Sequence, residues 1–124
     1  MGILSRFLRS LYTAFTGVVF VVRVERNARI HLIIALAALV LGVGLGISDA
    51  EMAAIFFAII LVFTSEVVNT ALEKTLDLIE PQDRAQVRVI KDIAAGAVLV
   101  AAFGALAIGL AIFTPYILQL VWPR

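Results

Sequence analysis

The sequence predicts an all-α membrane protein in which an N-terminal interfacial amphipathic helix at 3–24 precedes three transmembrane helices, within 30–47, 52–79 and 93–113. Three observations carry this prediction. The 124 residues are 63% apolar with a mean hydropathy of +1.10, which sets the chain among integral membrane proteins. Three apolar runs approach or exceed the length, about 20 residues, that crosses a ~30 Å hydrocarbon core. Short polar turns separate them, so one domain, 1–124, accounts for the chain.

Charge and rare residues narrow the function. A formal net charge of +1 with dispersed basic residues argues against a nucleic-acid partner. Cys is absent, which excludes disulfides, thiolate chemistry and cysteine-ligated metals, and a single His excludes multi-histidine zinc sites.

In chain order, 3–24 carries Arg6, Arg9, Ser10 and Thr13 on one side and Phe7, Leu8, Leu11, Phe15, Val18 and Val22 on the other, the pattern of a helix lying at the membrane surface. A signal peptide is the competing reading of Arg6, Arg9 and the apolar run 14–22. No A-x-A-like cleavage site follows; the run meets Arg23, Glu25, Arg26 and Arg29 instead. The first span, 30–47, contains Gly42, Gly44 and Gly46. These imitate a nucleotide fingerprint, but no strand precedes them, and inside a span glycine serves close helix packing.

Ser48 or Asp49 is placed to cap the second span. That helix should end near Glu80-Pro81, because the residue before proline is pushed out of the helical region. A polar connection, 82–91, carries Asp83, Arg84 and Arg88. The third span opens on Ala94, Ala95 and Gly96, small residues that admit a close neighbour. Thr114-Pro115 marks a kink or an end, and Trp122 suits the far interface.

Of the ten Lys and Arg residues only Arg124 falls on the far side of these spans; the others sit in the N-terminal region and the second loop. The positive-inside rule then places the N-terminus and the loop 73–91 in the cytoplasm.

The stretch 65–77, SEVVNTALEKTLD, interrupts a span with carboxylates. On a helix Glu66, Asn69, Glu73, Asp77 and Glu80 share one stripe. A carboxylate at such a depth is costly and normally faces a bundle interior or a water-filled site with a function there. With Glu25, Lys91 and Asp92 the stripe forms an inventory of hard oxygen atoms and cations that suits Mg²⁺ and polyphosphate. Phosphoryl transfer requires positioning and cations on phosphate oxygens. There is no G-x-x-x-x-G-K-[ST] loop and no protein-kinase motif set.

Glu66-x-x-Asn69-Thr70-Ala71-x-Glu73-x-x-x-Asp77, followed by Lys91-Asp92-x-Ala94-Ala95-Gly96-Ala97-Val98, resembles the small prokaryotic integral-membrane lipid kinases, diacylglycerol kinase and its undecaprenol kinase relatives. Upstream, Ala14-x-x-Gly17 and Glu25-x-Asn27-x-Arg29-Ile30-His31 fit the same pattern more loosely. The resemblance implies ATP as phosphoryl donor, with Glu66 as general base toward a lipid hydroxyl and Glu25 and Glu73 holding Mg²⁺. It also implies that Lys91 binds ATP phosphates, that Asn69 orients groups around Glu66, that Asp92 contacts nucleotide or braces Lys91, and that Arg6 lies near ATP. A homotrimer with sites between protomers is implied as well. Ala28, Ile90 and Thr13 depart from the family pattern.

The Asn27-x-Arg29-Ile30-His31 variant leans toward undecaprenol as acceptor, with diacylglycerol as the alternative. Two other classes compete. A proton-coupled exporter would not need Glu25, Asn69, Glu73 and Lys91 grouped on one side. A non-catalytic assembly protein would use the stripe as a polar seam satisfied by Lys91, Arg88 and Arg84. His31 reads as an interfacial hydrogen-bonding residue, and Lys74 as a solvated or headgroup charge.

Overall fold

The computed structural model describes residues 2–82 and 84–122. Four helices follow in order: α1 (Ile3–Val24), α2 (Arg26–Leu45), α3 (Asp49–Ile79) and α4 (Ala85–Val121), with no strand among the described residues. Each is long and apolar enough to cross a membrane. The chain is thus an all-helical membrane protein, and its outward Phe, Ile, Leu and Val side chains suit hydrocarbon rather than water. At 31 and 37 residues, α3 and α4 are about 46 and 55 Å long, more than the hydrocarbon core requires. Their ends therefore emerge from it.

Helix α3 is the hub. Its buried face, Ile55, Ala58, Val62, Glu66 and Thr70, packs against both α4 and α2. The facing surfaces are small: Ala94, Val98 and Ala101 on α4, and Ala28, Ala35 and Gly42 at seven-residue intervals on α2. Small residues let membrane helices approach closely and gain van der Waals contact where no hydrophobic driving force exists between them. Helix α1 is exposed over 2–18 and joins the rest through its last turns, where Val21 is buried.

Ala28 is completely buried at the corner where α2 meets its neighbours, which explains the small residue there. Ala28→Leu should therefore overpack this corner and destabilise the fold by about 1–3 kcal/mol. Reversible unfolding in mixed micelles measures it; a stability equal to wild type would contradict the packing.

The helix ends differ from the hydropathy-based limits for local reasons. Gly46 closes α2 in the left-handed conformation (φ 64°), with its N–H and that of Ile47 returning to the carbonyls of Val43 and Gly42. It is thus a stop signal rather than a packing residue within 30–47. Gly42 does pack closely, since a Cβ there would lie 2.9 Å from Ile47 Cδ1 and Met52 Cε, whereas Gly44 borders open space. Ser48 caps α3 in a reciprocal box: its hydroxyl accepts from the Glu51 N–H, and Glu51 Oε2 accepts from the Ser48 N–H at 2.8 Å.

Tyr116 donates to the same carboxylate oxygen at 2.7 Å. This ties α4 to α3 just beyond Pro115, and α4 runs on through the proline to Val121 rather than stopping near 113. Proline is tolerated within membrane helices when neighbours hold the freed backbone. At the opposite end α3 stops at Ile79, before Glu80-Pro81, and α4 already begins at Ala85. The polar connection shortens to five residues, 80–84, with Arg88 and Lys91 on helix. Asp83 and Arg124 lie outside the described residues.

Candidate functional site

The polar stripe continues the buried face of α3. One turn beyond the apolar Val62 comes Glu66, and a turn further come Asn69 and Thr70, because residues three and four apart stack on a helix. Glu66 is only 3% exposed and Thr70 2%. The Thr70 hydroxyl donates to the Glu66 carbonyl at 3.0 Å, which satisfies it within the helix. Counting 20 residues of hydrocarbon from the capped end at Ser48 leaves Glu66 just inside the edge of the core and Glu73 about 7 Å beyond that edge.

Three segments converge on Glu66. His31 at the start of α2, Glu25 at the α1–α2 joint and Glu73 on α3 lie within electrostatic range of its carboxylate. Glu25 reaches this corner because it is the sole residue between α1 and α2, in extended conformation (φ −95°, ψ 121°), and it makes no side-chain capping bond. Its carboxylate is half-buried and uncommitted to the helix N-terminus. Glu73, also half-buried, accepts a hydrogen bond from Asn69 Nδ2 at 3.1 Å. Asn69 Oδ1 is buried with no hydrogen-bond partner among the described residues.

Asn69 is thus joined to Glu73 through its amide nitrogen, and its oxygen is left without a partner among the described residues. A buried amide oxygen beside carboxylates fits a hard cation. Among the described residues no three His, Asp or Glu close into a metal cage. Mg²⁺ commonly takes one or two protein carboxylates and fills its remaining positions with phosphate oxygens and water, so such a cage is not required for it.

Lys91 and Asp77 form an ion pair at 2.6 Å that links the start of α4 to the end of α3. Arg84 pairs with Glu80 at 3.1 Å across the connection. The seam imagined for a purely structural stripe therefore exists at its outer end, at Asp77 and Glu80, whereas Glu66 and Asn69 lie deeper. Asp92 follows Lys91 and is exposed. Arg6 stands apart. It lines a shallow surface hollow with Arg9, Ser10, Thr13 and Ala14, about 28 Å along α1 from Glu25.

Sequence reasoning assigned no separate role to Thr70 and placed Asp77 only within the stripe and the family motif. Thr70 sits four residues after Glu66 on the buried face, a spacing visible in the sequence. The Asp77–Lys91 pairing has no such signal, since it depends on how α4 returns.

Hydrocarbon-length helices that bury carboxylates and an amide at one end define an integral-membrane protein with an interfacial, oxygen-rich polar site. Residues 12–113 match the sequence profile of prokaryotic diacylglycerol kinase. The chain is 40% identical over 112 residues to undecaprenol kinase of Bacillus subtilis (strain 168), covering 90% of this chain and 91% of that protein. It is 34% identical over 115 residues to diacylglycerol kinase of Synechocystis sp. (strain ATCC 27184 / PCC 6803 / Kazusa), covering 92% of this chain and 66% of the relative. No solved structure matches it significantly. The chain belongs to the prokaryotic diacylglycerol kinase family, a family of lipid kinases.

Proposed function

We propose that this lipid kinase transfers the γ-phosphoryl group of ATP to a membrane lipid alcohol, with undecaprenol as the acceptor and diacylglycerol as the alternative. The observation that carries the reading is a buried Glu66 within electrostatic range of Glu25 and Glu73, with Glu73 bonded to Asn69, whose oxygen has no partner among the described residues. The undecaprenol kinase relative, matched over nearly its full length, favours undecaprenol. An apolar groove of about 520 Å³ between α2, α3 and α4 supports a lipid acceptor: it starts at His31, passes Val62, Ala58 and Ile55, and reaches Ile117. A hydrocarbon chain in it would bring its hydroxyl toward Glu66.

In this reading Glu66 accepts the hydroxyl proton as the alcohol oxygen bonds to the γ-phosphorus and the bond to the ADP oxygen breaks. Glu25 and Glu73 would hold Mg²⁺, with Asn69 supporting Glu73. The ion supplies positive charge against the phosphate oxygens. Lys91 would exchange Asp77 for a nucleotide phosphate, and Asp92 would brace it or contact nucleotide. The basic residues of the N-terminal region and second loop support a cytoplasmic site. The Arg-bearing face of α1 supports its lying in the interface.

A homotrimer is part of the proposal. Arg6 is too far along α1 to serve the site of its own chain, so a role near ATP places it at a neighbour's site. Symmetry supplies the further helices a lone protomer lacks around its polar face. Two measurements test the reading. In a lipid-acceptor panel with γ-labelled ATP, undecaprenol should be labelled well above diacylglycerol; the reverse order would reassign the acceptor, and no labelling of any lipid would end the proposal. Co-reconstituting inactive Glu25→Gln and Glu73→Gln proteins should restore part of the activity if mixed sites form between chains. No recovery despite demonstrated subunit mixing would place both residues in one chain.

A further inference from the structure

We infer that Arg29 is a positioning residue for Glu25: its guanidinium ties the end of α1 to the start of α2 and so sets where the Glu25 carboxylate points. Arg29 Nη1 donates to the Arg23 carbonyl at 2.8 Å and reaches the Val22 carbonyl at 3.5 Å. Both are among the last carbonyls of α1, which have no partner within their own helix. The Glu25 N–H donates to the Val21 carbonyl at 2.8 Å. One side chain from α2 thus completes the C-terminus of α1, and its positive charge complements the dipole there.

The consequence falls on Glu25 because the joint is a single residue long. Glu25 ends α1 and begins α2, and no side-chain capping bond fixes its carboxylate. The position from which it extends therefore follows from the angle between the two helices. Buried Val21 and Ala28 hold one side of that corner by packing, and Arg29 holds the other by hydrogen bonds. Both contacts come from Nη1 of a planar, pre-organised guanidinium, whereas a lysine ammonium is a point charge on a freer stem. Arg23 and Arg26 cannot replace it without leaving their own positions on either side of the joint.

The inference rests on the proposed role of Glu25 as a magnesium ligand, and its test separates the two. The chain has no cysteine, so spin labels can be attached to Ser10→Cys and Leu36→Cys, exposed positions on α1 and α2. With labelled chains diluted in unlabelled protein and no nucleotide present, Arg29→Gln should broaden the α1–α2 distance distribution. In the unlabelled enzyme it should raise the Mg²⁺ concentration for half-maximal activity roughly 10–100-fold, the usual effect of losing a residue that orients a metal ligand. The rate at saturating Mg²⁺ should largely recover. Arg29→Lys should shift both readouts in the same direction by less, and it serves alone if Arg29→Gln does not fold.

An unchanged distance distribution would overturn the tie between the helices. A broadened distribution with unchanged Mg²⁺ dependence would overturn its link to Glu25. Glu25→Gln is the control for the underlying reading: wild-type Mg²⁺ dependence in that variant would remove Glu25 from the metal site whatever the labels report.

Discussion

Glu73→Gln is expected to abolish turnover in a protein that still folds. The substitution keeps the size of the side chain and an oxygen able to accept from Asn69 Nδ2, so the local packing of α3 survives. What it removes is the negative charge proposed to hold the cation. Loss of a group that merely orients a metal ligand costs roughly 10–100-fold, and loss of the ligand should cost more. Phosphoryl transfer to lipid in mixed micelles, measured across a magnesium titration, checks this. Activity near wild type would remove Glu73 from the metal site; a milder defect rescued by high magnesium would support the assignment.

Glu66→Gln is expected to separate proton transfer from nucleotide binding. Glu66 lies about 10 Å deeper than Glu73 along α3, on the side from which a lipid hydroxyl would arrive in the proposed reaction. As general base it should contribute roughly 10²- to 10⁴-fold to the rate. MgATP binding should persist, because the groups proposed to hold phosphate and cation are Glu25, Glu73 and Lys91. The variant should also be no less stable than wild type, since a neutral amide replaces a nearly fully buried carboxylate and costs less to bury. Equilibrium binding of a labelled ATP analogue and thermal unfolding in detergent give the two readouts. If Glu66→Gln and Glu73→Gln lose nucleotide binding equally, the two glutamates do not have separate roles.

The sequence by itself determined that the chain is helical and membrane-embedded, because burial in a bilayer is a property of composition and run length. It also determined the stripe of Glu66, Asn69, Glu73, Asp77 and Glu80, which follows from helical periodicity alone. The stop at Glu80-Pro81 and a cap near Ser48 were legible for the same reason: each depends on a few adjacent residues. Tertiary structure decided which of these residues meet. Asn69 pairs with Glu73 along one helix, but Lys91 reaches Asp77 only because α4 starts at Ala85 and folds back against α3. Pro115 ended nothing, since Tyr116 anchors the helix to Glu51 on the far side, a partner 65 positions away. Glu25 comes to Glu66 through a one-residue joint whose angle no local propensity encodes. Run length and periodicity are local quantities, whereas an inter-helix angle is set by small side chains and hydrogen bonds between segments distant in sequence.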